Sequence, residues 1–525
     1  MSSNPTQHDA WKNLTEHAQN IQKTPVKSLF EADINRFDQF STNHDSLFFD
    51  YSKQLITKEI LDDLVTLAQE CGLKEKRKAL FSGDKINKTE GRSVLHTALR
   101  EPKGSSLNVN GQNVSDDIHS TLNVMKDISD KVRSGKYLGS TGKPVTKIIS
   151  IGIGGSDFGP RLICNALKDN IKDIKLDFVS NIDASDITHA LGKSEPEKTL
   201  FIVISKSFTT NDTLINAGTA KKWLESQLPE NSDISKQFIA VTTNATAART
   251  FGVSDHNILP MWEWVNGRFS LWSAVGLPIC LRFGFNVFQE LLNGAYSIDK
   301  HFQEAPLDEN IPVLMALIGI WNRNFLQSQT LAILPYSQRL FYLPAYLRQL
   351  DMESNGKTID LEGNQIIDYQ TGPVIFGEAG TNGQHSFYQH LHQGSDLMAS
   401  DFIGILNPDH DYDEHQSCLM NNMLAQSQAL MQGRQNPDSP HRYFEGNKPN
   451  STILLEKLDA KHLGMLIALY EHKIFVQGAI WNINSFDQYG VELGKELSKK
   501  LVENDLSDAD SSTKGLLSLI HKVKK

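Results

Sequence analysis

Between Val145 and Asn244, short apolar runs closed by Gly, Ser, Thr or Asn alternate with stretches of helical periodicity: VTKIISIGIGG, IKLDFVSN, TLFIVISKS and QFIAVTTN. Runs of this length with turn formers behind them predict buried strands, and their alternation with helices predicts a parallel sheet covered on both faces. A second series, QTLAILPYS, GPVIFGEAGT, DFIGILNP and NSTILLEKLD, follows a helical stretch near 313–325 and predicts a second α/β lobe. Residues 1–115 read as polar and helix-rich, with Ile56, Ile60, Leu61, Leu64 and Leu67 at helical spacing. From Gly490 onward the pattern is helix, polar break, helix. The expected organisation is an N-terminal helical segment (1–115) packing on the larger lobe, a first, smaller lobe (116–285), a second, larger lobe (286–500) and a C-terminal helical tail (501–525). That tail either packs on a neighbouring subunit or is a surface helix.

Composition narrows the class. The 525 residues are too many for one hydrophobic core, in line with two lobes. No apolar run approaches the roughly 18 residues of a spanning helix, and the polar N-terminus has no basic start followed by an apolar stretch; a cytoplasmic, non-membrane protein is expected. A net charge of −10 argues against a nucleic-acid partner. Cys71, Cys164, Cys280 and Cys418 lie far apart, without CxxC or finger spacing, so reduced thiols and no metal site are expected.

In open α/β sheets ligands sit beyond the carboxyl ends of the strands, and six segments with chemistry fall at or near such places. Gly152-Ile-Gly154-Gly155-Ser156-Asp157 follows the first run; G-x-G-x-x-G would need glycine at Asp157 and no Walker lysine follows, so the loop is either a tight turn or backbone that meets a ligand. Ser205-Lys206-Ser207-Phe208-Thr209-Thr210 brings four hydroxyls and a lysine to the start of a helix, where one cap residue would suffice; a phosphate site is favoured over a plain cap. Arg268, in Asn266-Gly267-Arg268-Phe269-Ser270, is either a structural ion-pair member or a fixed cation for a developing oxyanion. Glu353, in Gln349-Leu350-Asp351-Met352-Glu353-Ser354-Asn355-Gly356, stands at a helix C-terminus, where a carboxylate opposes the dipole; that local cost points to function. His385, one of 17 histidines, opens a helix after a strand and could transfer protons. Lys495, after Gly490 and Gly494, reads by itself as a solvated lysine.

Taken together, GIGGSDFGP, SKSFTT, NGRFSLWSAVGLP, MESNGK, GTNGQHSF and GAIWNINSFDQYGVELGK resemble the motifs of the glucose-6-phosphate isomerase (phosphoglucose isomerase) family, in order, from about 150 to 500. The resemblance implies two sugar-isomerase (SIS) lobes with flavodoxin-like parallel sheets flanked by helices, and a homodimer with shared active sites. It implies no metal or coenzyme. The implied activity is aldose–ketose isomerisation of glucose 6-phosphate to fructose 6-phosphate in glycolysis and gluconeogenesis. It assigns Glu353 as the base working through a cis-enediolate, His385 from the partner subunit to ring opening, Lys495 to the ring oxygen and Arg268 to the enediolate. Ser205, Lys206, Ser207 and Thr210 would hold the phosphate, with Gly155, Ser156, Gln349 and Gln488 lining the sugar site. Ser207, Asp212 and Asn266 depart from the family's commoner Thr, Glu and Gly. The competing expectations are an isomerase that also takes mannose 6-phosphate, a non-catalytic sugar-phosphate sensor and an extracellular interaction protein.

Overall fold

In the computed structural model, which describes residues 4–109, 111–167 and 174–523, each of the eight apolar runs contains a strand. Four of the remaining strands were not legible in the pattern of the N-terminal segment. There β1 (Ser41–His44) and β2 (Leu47–Asp50) form an antiparallel hairpin, and a smaller one joins β3 (Asn108–Val109) to β4 (Gln112–Asn113). The segment read as helical thus also supplies sheet, because β2 finds an open edge to pair with: it runs antiparallel to the last strand of the second lobe and buries Leu47 and Phe49.

The first lobe is a five-stranded parallel sheet of β5 (Lys147–Ile151), β6 (Lys175–Val179), β7 (Thr199–Ile204), β8 (Phe238–Thr242) and β9 (Ile258–Pro260), in the order β6-β5-β7-β8-β9. Every residue of β7 is buried, as a central strand between two helical layers requires. Around it pack Ile149, Ile151, Val179, Phe201, Val203 and Phe238 from the strands and Ala217, Ala220 and Leu224 from a helix. The chain goes from β5 out to β6 and returns to place β7 on the other flank of β5. The strand order therefore reverses between β5 and β7, where the two following loops diverge and leave a crevice.

The second lobe has β10 (Thr330–Pro335), β11 (Val374–Gly377), β12 (Met398–Ile405) and β13 (Asn450–Leu455), all parallel, extended by the N-terminal hairpin into the order β1-β2-β13-β12-β10-β11.

Five helices matter for the site: α1 (Phe158–Ala166), α2 (Asn211–Gln227), α3 (Phe285–Glu304), α4 (Leu343–Asn355) and α5 (Ala460–Ile480). In α5 every residue but Lys461 is buried. A helix apolar on all sides belongs in a core rather than at a surface. Glycine permits its close packing on α3: a Cβ at Gly464 would lie 2.0 Å from the Leu291 carbonyl oxygen, and one at Gly294 would lie 1.8 Å from that of Lys461.

The chain divides into two compact units, Met1–Ser485 and Phe486–Lys525. The second contains a short turn at Tyr489–Val491, then α6 (Glu492–Val502) and α7 (Ser511–Val523), the helix–break–helix pattern of the sequence. Among the described residues no helix is long and apolar enough to cross a membrane.

Candidate active site

The loops after β5 and β7 are the glycine-rich and hydroxyl-rich segments of the sequence, so both open into the crevice where the strand order reverses. They touch at their roots: a Cβ at Gly152 would lie 3.2 Å from the Ile204 carbonyl oxygen at the end of β7. Thr210 occupies the N-cap of α2, yet its side chain caps no helix amide. Its hydroxyl instead lies 3.1 Å from that of Ser205, and Ser207 and Thr209 share a hydrogen bond of 2.6 Å. A hydroxyl cluster beside helix amides that have no intrahelical acceptor is a cradle for an anion. The Lys206 ammonium points elsewhere, donating to the backbone carbonyls of Glu263 and Val265 at 3.0 Å each. It thereby ties the cradle to the segment that leads into Arg268, and burial lowers its pKa from the usual lysine value.

Arg268 lies in a 3-10 turn, Gly267–Trp272, with its side chain almost wholly buried. Its Nε donates to Ser354 Oγ and its Nη2 to the Ser485 carbonyl, both at 2.6 Å, leaving Nη1 3.4 Å from the Glu353 carboxylate. Glu353 keeps about a quarter of its side chain exposed, so it faces the crevice while Arg268 backs it. Gln349, one turn earlier on α4, donates to the same carboxylate oxygen at 3.3 Å. The glycine-rich loop closes the group. A Cβ at Gly154 would meet Gln349 Nε2 at 3.0 Å, and one at Gly155 would fall 2.0 Å from the Gly267 carbonyl oxygen. Both positions demand glycine because another backbone or side chain occupies the space a Cβ would take. Of the two readings left open for Arg268, the ion pair is present, and the bonds to Ser354 and Ser485 hold the guanidinium in place.

The structure therefore brings together Gly155, Ser156, Arg268, Gln349 and Glu353, and joins them through Lys206 to Ser205, Ser207 and Thr210. His385 does not join them within the chain. It ends the short turn Asn382–His385 after β11, is exposed, and makes no hydrogen bond or ion pair to the described residues. Its neighbours Ser386 and Phe387 line, with Glu378, Ile153, Gly154 and Arg348 among others, a cavity of about 950 Å³. This cavity adjoins the Arg268–Glu353 pair without containing it. Gln488 and Lys495 belong to the Phe486–Lys525 unit, Lys495 in the first turns of α6. Among the described residues no three His, Cys, Asp or Glu side chains converge as metal ligands would. The sequence reading missed Ser354 and Ser485 as partners of Arg268, for no local pattern marks them; contact across 86 and 217 residues is made only by the fold.

A hydroxyl cradle at the switch point of a parallel sheet, beside a carboxylate held against a buried guanidinium, defines an α/β enzyme of the sugar-phosphate isomerase class. The particular family follows from comparison with known proteins. Residues 50–517 match the family phosphoglucose isomerase. The chain is 46% identical to the glucose-6-phosphate isomerase of Methylococcus capsulatus, over 97% of both chains, and 47% identical to that of Deinococcus radiodurans, again over 97% of both. The crystal structure of a glucose-6-phosphate isomerase from Chlamydia trachomatis superposes with a TM-score of 0.89 at 31% identity, covering 99% of this chain and all of the other. The chain belongs to the phosphoglucose isomerase family and is an isomerase. The expectation of a non-catalytic sensor falls with that result.

Proposed function

We propose that the crevice interconverts D-glucose 6-phosphate and D-fructose 6-phosphate by opening the sugar ring and moving one proton between C2 and C1 through a cis-enediolate. The phosphate sits among the Ser205, Ser207 and Thr210 hydroxyls and the N-terminal amides of α2, with the charge of Lys206 held nearby. That anchor, together with Gly155, Ser156 and Gln349, places C1 and C2 over the Glu353 carboxylate. Glu353 removes the proton from C2 as the C1 carbonyl takes up negative charge; the hydroxyl proton on O2 passes to O1, and Glu353 returns its proton to C1 as the ketone forms at C2. Arg268 stabilises the enediolate oxygen and, by holding electrons on that oxygen, discourages loss of phosphate. The partner subunit's His385 and, from the C-terminal unit, Lys495 serve ring opening, with Gln488 lining the sugar site; this part rests on the family motifs GTNGQHSF and GAIWNINSFDQYGVELGK. The enzyme is then a cytoplasmic homodimer acting in glycolysis and gluconeogenesis.

The observation that carries the reading is the contact of a half-open carboxylate with a buried, permanently charged arginine beside an anion cradle. General-base catalysis contributes about 10²–10⁴-fold and a preorganised cation a comparable factor, so both are needed. The test is Glu353→Gln, which keeps the shape and the hydrogen-bond reach but removes the base. Turnover of fructose 6-phosphate, followed by a coupled dehydrogenase, should fall by about 10²-fold or more with the fold intact; activity within about tenfold of wild type would exclude Glu353 as the base.

A further inference from the structure

Beneath the crevice, three consecutive residues of α5, Glu471, His472 and Lys473, are charged or titratable and fully or almost fully buried. The mechanism uses none of them, and such groups are retained in a core only when paired. Their pairing is directional. Glu471 Oε1 accepts from the indole N–H of Trp272 at 2.8 Å, and Trp272 closes the same 3-10 turn that carries Arg268. Glu471 Oε2 accepts from Arg100 at 2.5 Å; Arg100 makes a forked pair with Asp299 of α3 at 2.6 Å twice and lies 4.8 Å from the Trp272 ring. His472 bonds the same Asp299 at 2.6 Å. Lys473 points the other way. Its ammonium donates to Asp351 at 2.9 Å, two residues before Glu353 on α4. Two residues after Glu353, Asn355 donates to the Ile474 carbonyl of α5 at 3.0 Å and accepts from Ser485 Oγ at 2.7 Å. The last turn of α4 is therefore gripped on both sides of Glu353. Beside Lys473 a second buried carboxylate, Asp401, accepts from the Tyr470 hydroxyl at 3.0 Å.

We infer that Glu471 and Lys473 are positioning residues of the isomerase: one rigid buried helix holds the Arg268 turn through Trp272 and the Glu353 turn through Asp351, and so sets the separation of cation and base. The inference rests on the roles proposed for Glu353 and Arg268. A grip on both sides matters because the two groups come from different lobes of the chain and the guanidinium approaches the carboxylate no closer than 3.4 Å, beside its 2.6 Å bond to Ser354. An error of about 1 Å at a reacting centre can cost about 10²-fold in rate.

The experiment compares Lys473→Met, the double variant Asp351→Asn/Lys473→Met, and Glu471→Gln, which keeps an acceptor for Trp272 while removing the charge. Melting temperature, kcat, KM and the isotope effect on glucose 6-phosphate deuterated at C2 are measured for each, with Glu353→Gln alongside. Lys473→Met strands a buried carboxylate and lowers the melting temperature; the double variant removes both charges and recovers most of it. Under the inference kcat of the double variant stays down by about tenfold or more while KM stays within about threefold, and the isotope effect rises because proton transfer has become slower. Recovery of kcat together with the melting temperature in the double variant would show a role in stability alone and overturn the inference. If instead Glu353→Gln retains turnover, the base assignment fails, and the failure is read from that variant rather than from the buried pair.

Discussion

Gly155 shows how little slack the site has at the level of one residue. Its Cα faces the Gly267 carbonyl so closely that any Cβ would stand 2.7 Å from the Arg268 amide nitrogen as well, and both obstacles are backbone. Gly155→Ala must therefore push the glycine-rich loop off the Arg268 turn. We expect kcat to fall by about tenfold or more, since the displaced group is the cation itself. The control is Gly218→Ala in α2, where a Cβ meets nothing within 4 Å and activity should be unchanged, with a stability gain of about 0.5–1 kcal/mol. Glycine, arginine and glutamate at these places were legible in the sequence as motifs. That Gly155 abuts Arg268 was not, because the contact lies between loops of different strands.

At the scale of elements, α5 is the part on which the others converge, and its first turn has its own device. Asp459 stands at the N-cap and accepts from the His462 amide at 3.0 Å and the His462 ring at 2.6 Å. Burial alone would raise the Asp459 pKa, but the hydrogen bonds from His462 and Lys457 outweigh it and hold the carboxyl well below its ordinary 3.8. A folded-state pKa below the unfolded one gives stability that is full above the unfolded value and is lost as pH falls through the folded one. Asp459→Ala should cost about 0.5–2 kcal/mol near neutrality. In melting experiments the gap between wild type and variant should narrow as pH drops below 3.8, where the unfolded chain takes up a proton that the folded Asp459 carboxylate still holds off. A gap independent of pH would show that the charge contributes nothing. In the sequence α5 was not singled out, and its charged triplet Glu471-His472-Lys473 could have been surface residues on any helix exposed on one side.

For the whole molecule, the exposed His385, with no partner among the described residues, motivates the proposal of a site completed by a second copy. Mixing denatured Glu353→Gln with denatured His385→Ala and refolding them together tests it. In a two-fold dimer, half of the assemblies would pair one chain of each kind, and each of these would hold one site with both side chains intact. Activity should rise from near zero in either variant to about a quarter of wild type. No recovery, with both variants folded and dimeric, would place His385 and Glu353 in the same chain or remove His385 from the chemistry.

The linear order of residues by itself determined the α/β class, the position of eight strands in the two lobes though not of β9, and the segments that carry chemistry, because apolar periodicity and turn residues act over a few neighbours and those signals are written locally. Three matters were decided only in three dimensions. The hairpin at 41–50 became sheet because β13 offered it an unpaired edge. Lys206 turned from the anion cradle toward the Arg268 segment because two backbone carbonyls lay within its reach. Arg268 and Glu353, 85 residues apart, met because the Gly267–Trp272 turn packs on the last turn of α4, where Arg268 also bonds Ser354; the energy of such contacts depends on distance in space, which no stretch of neighbouring residues records.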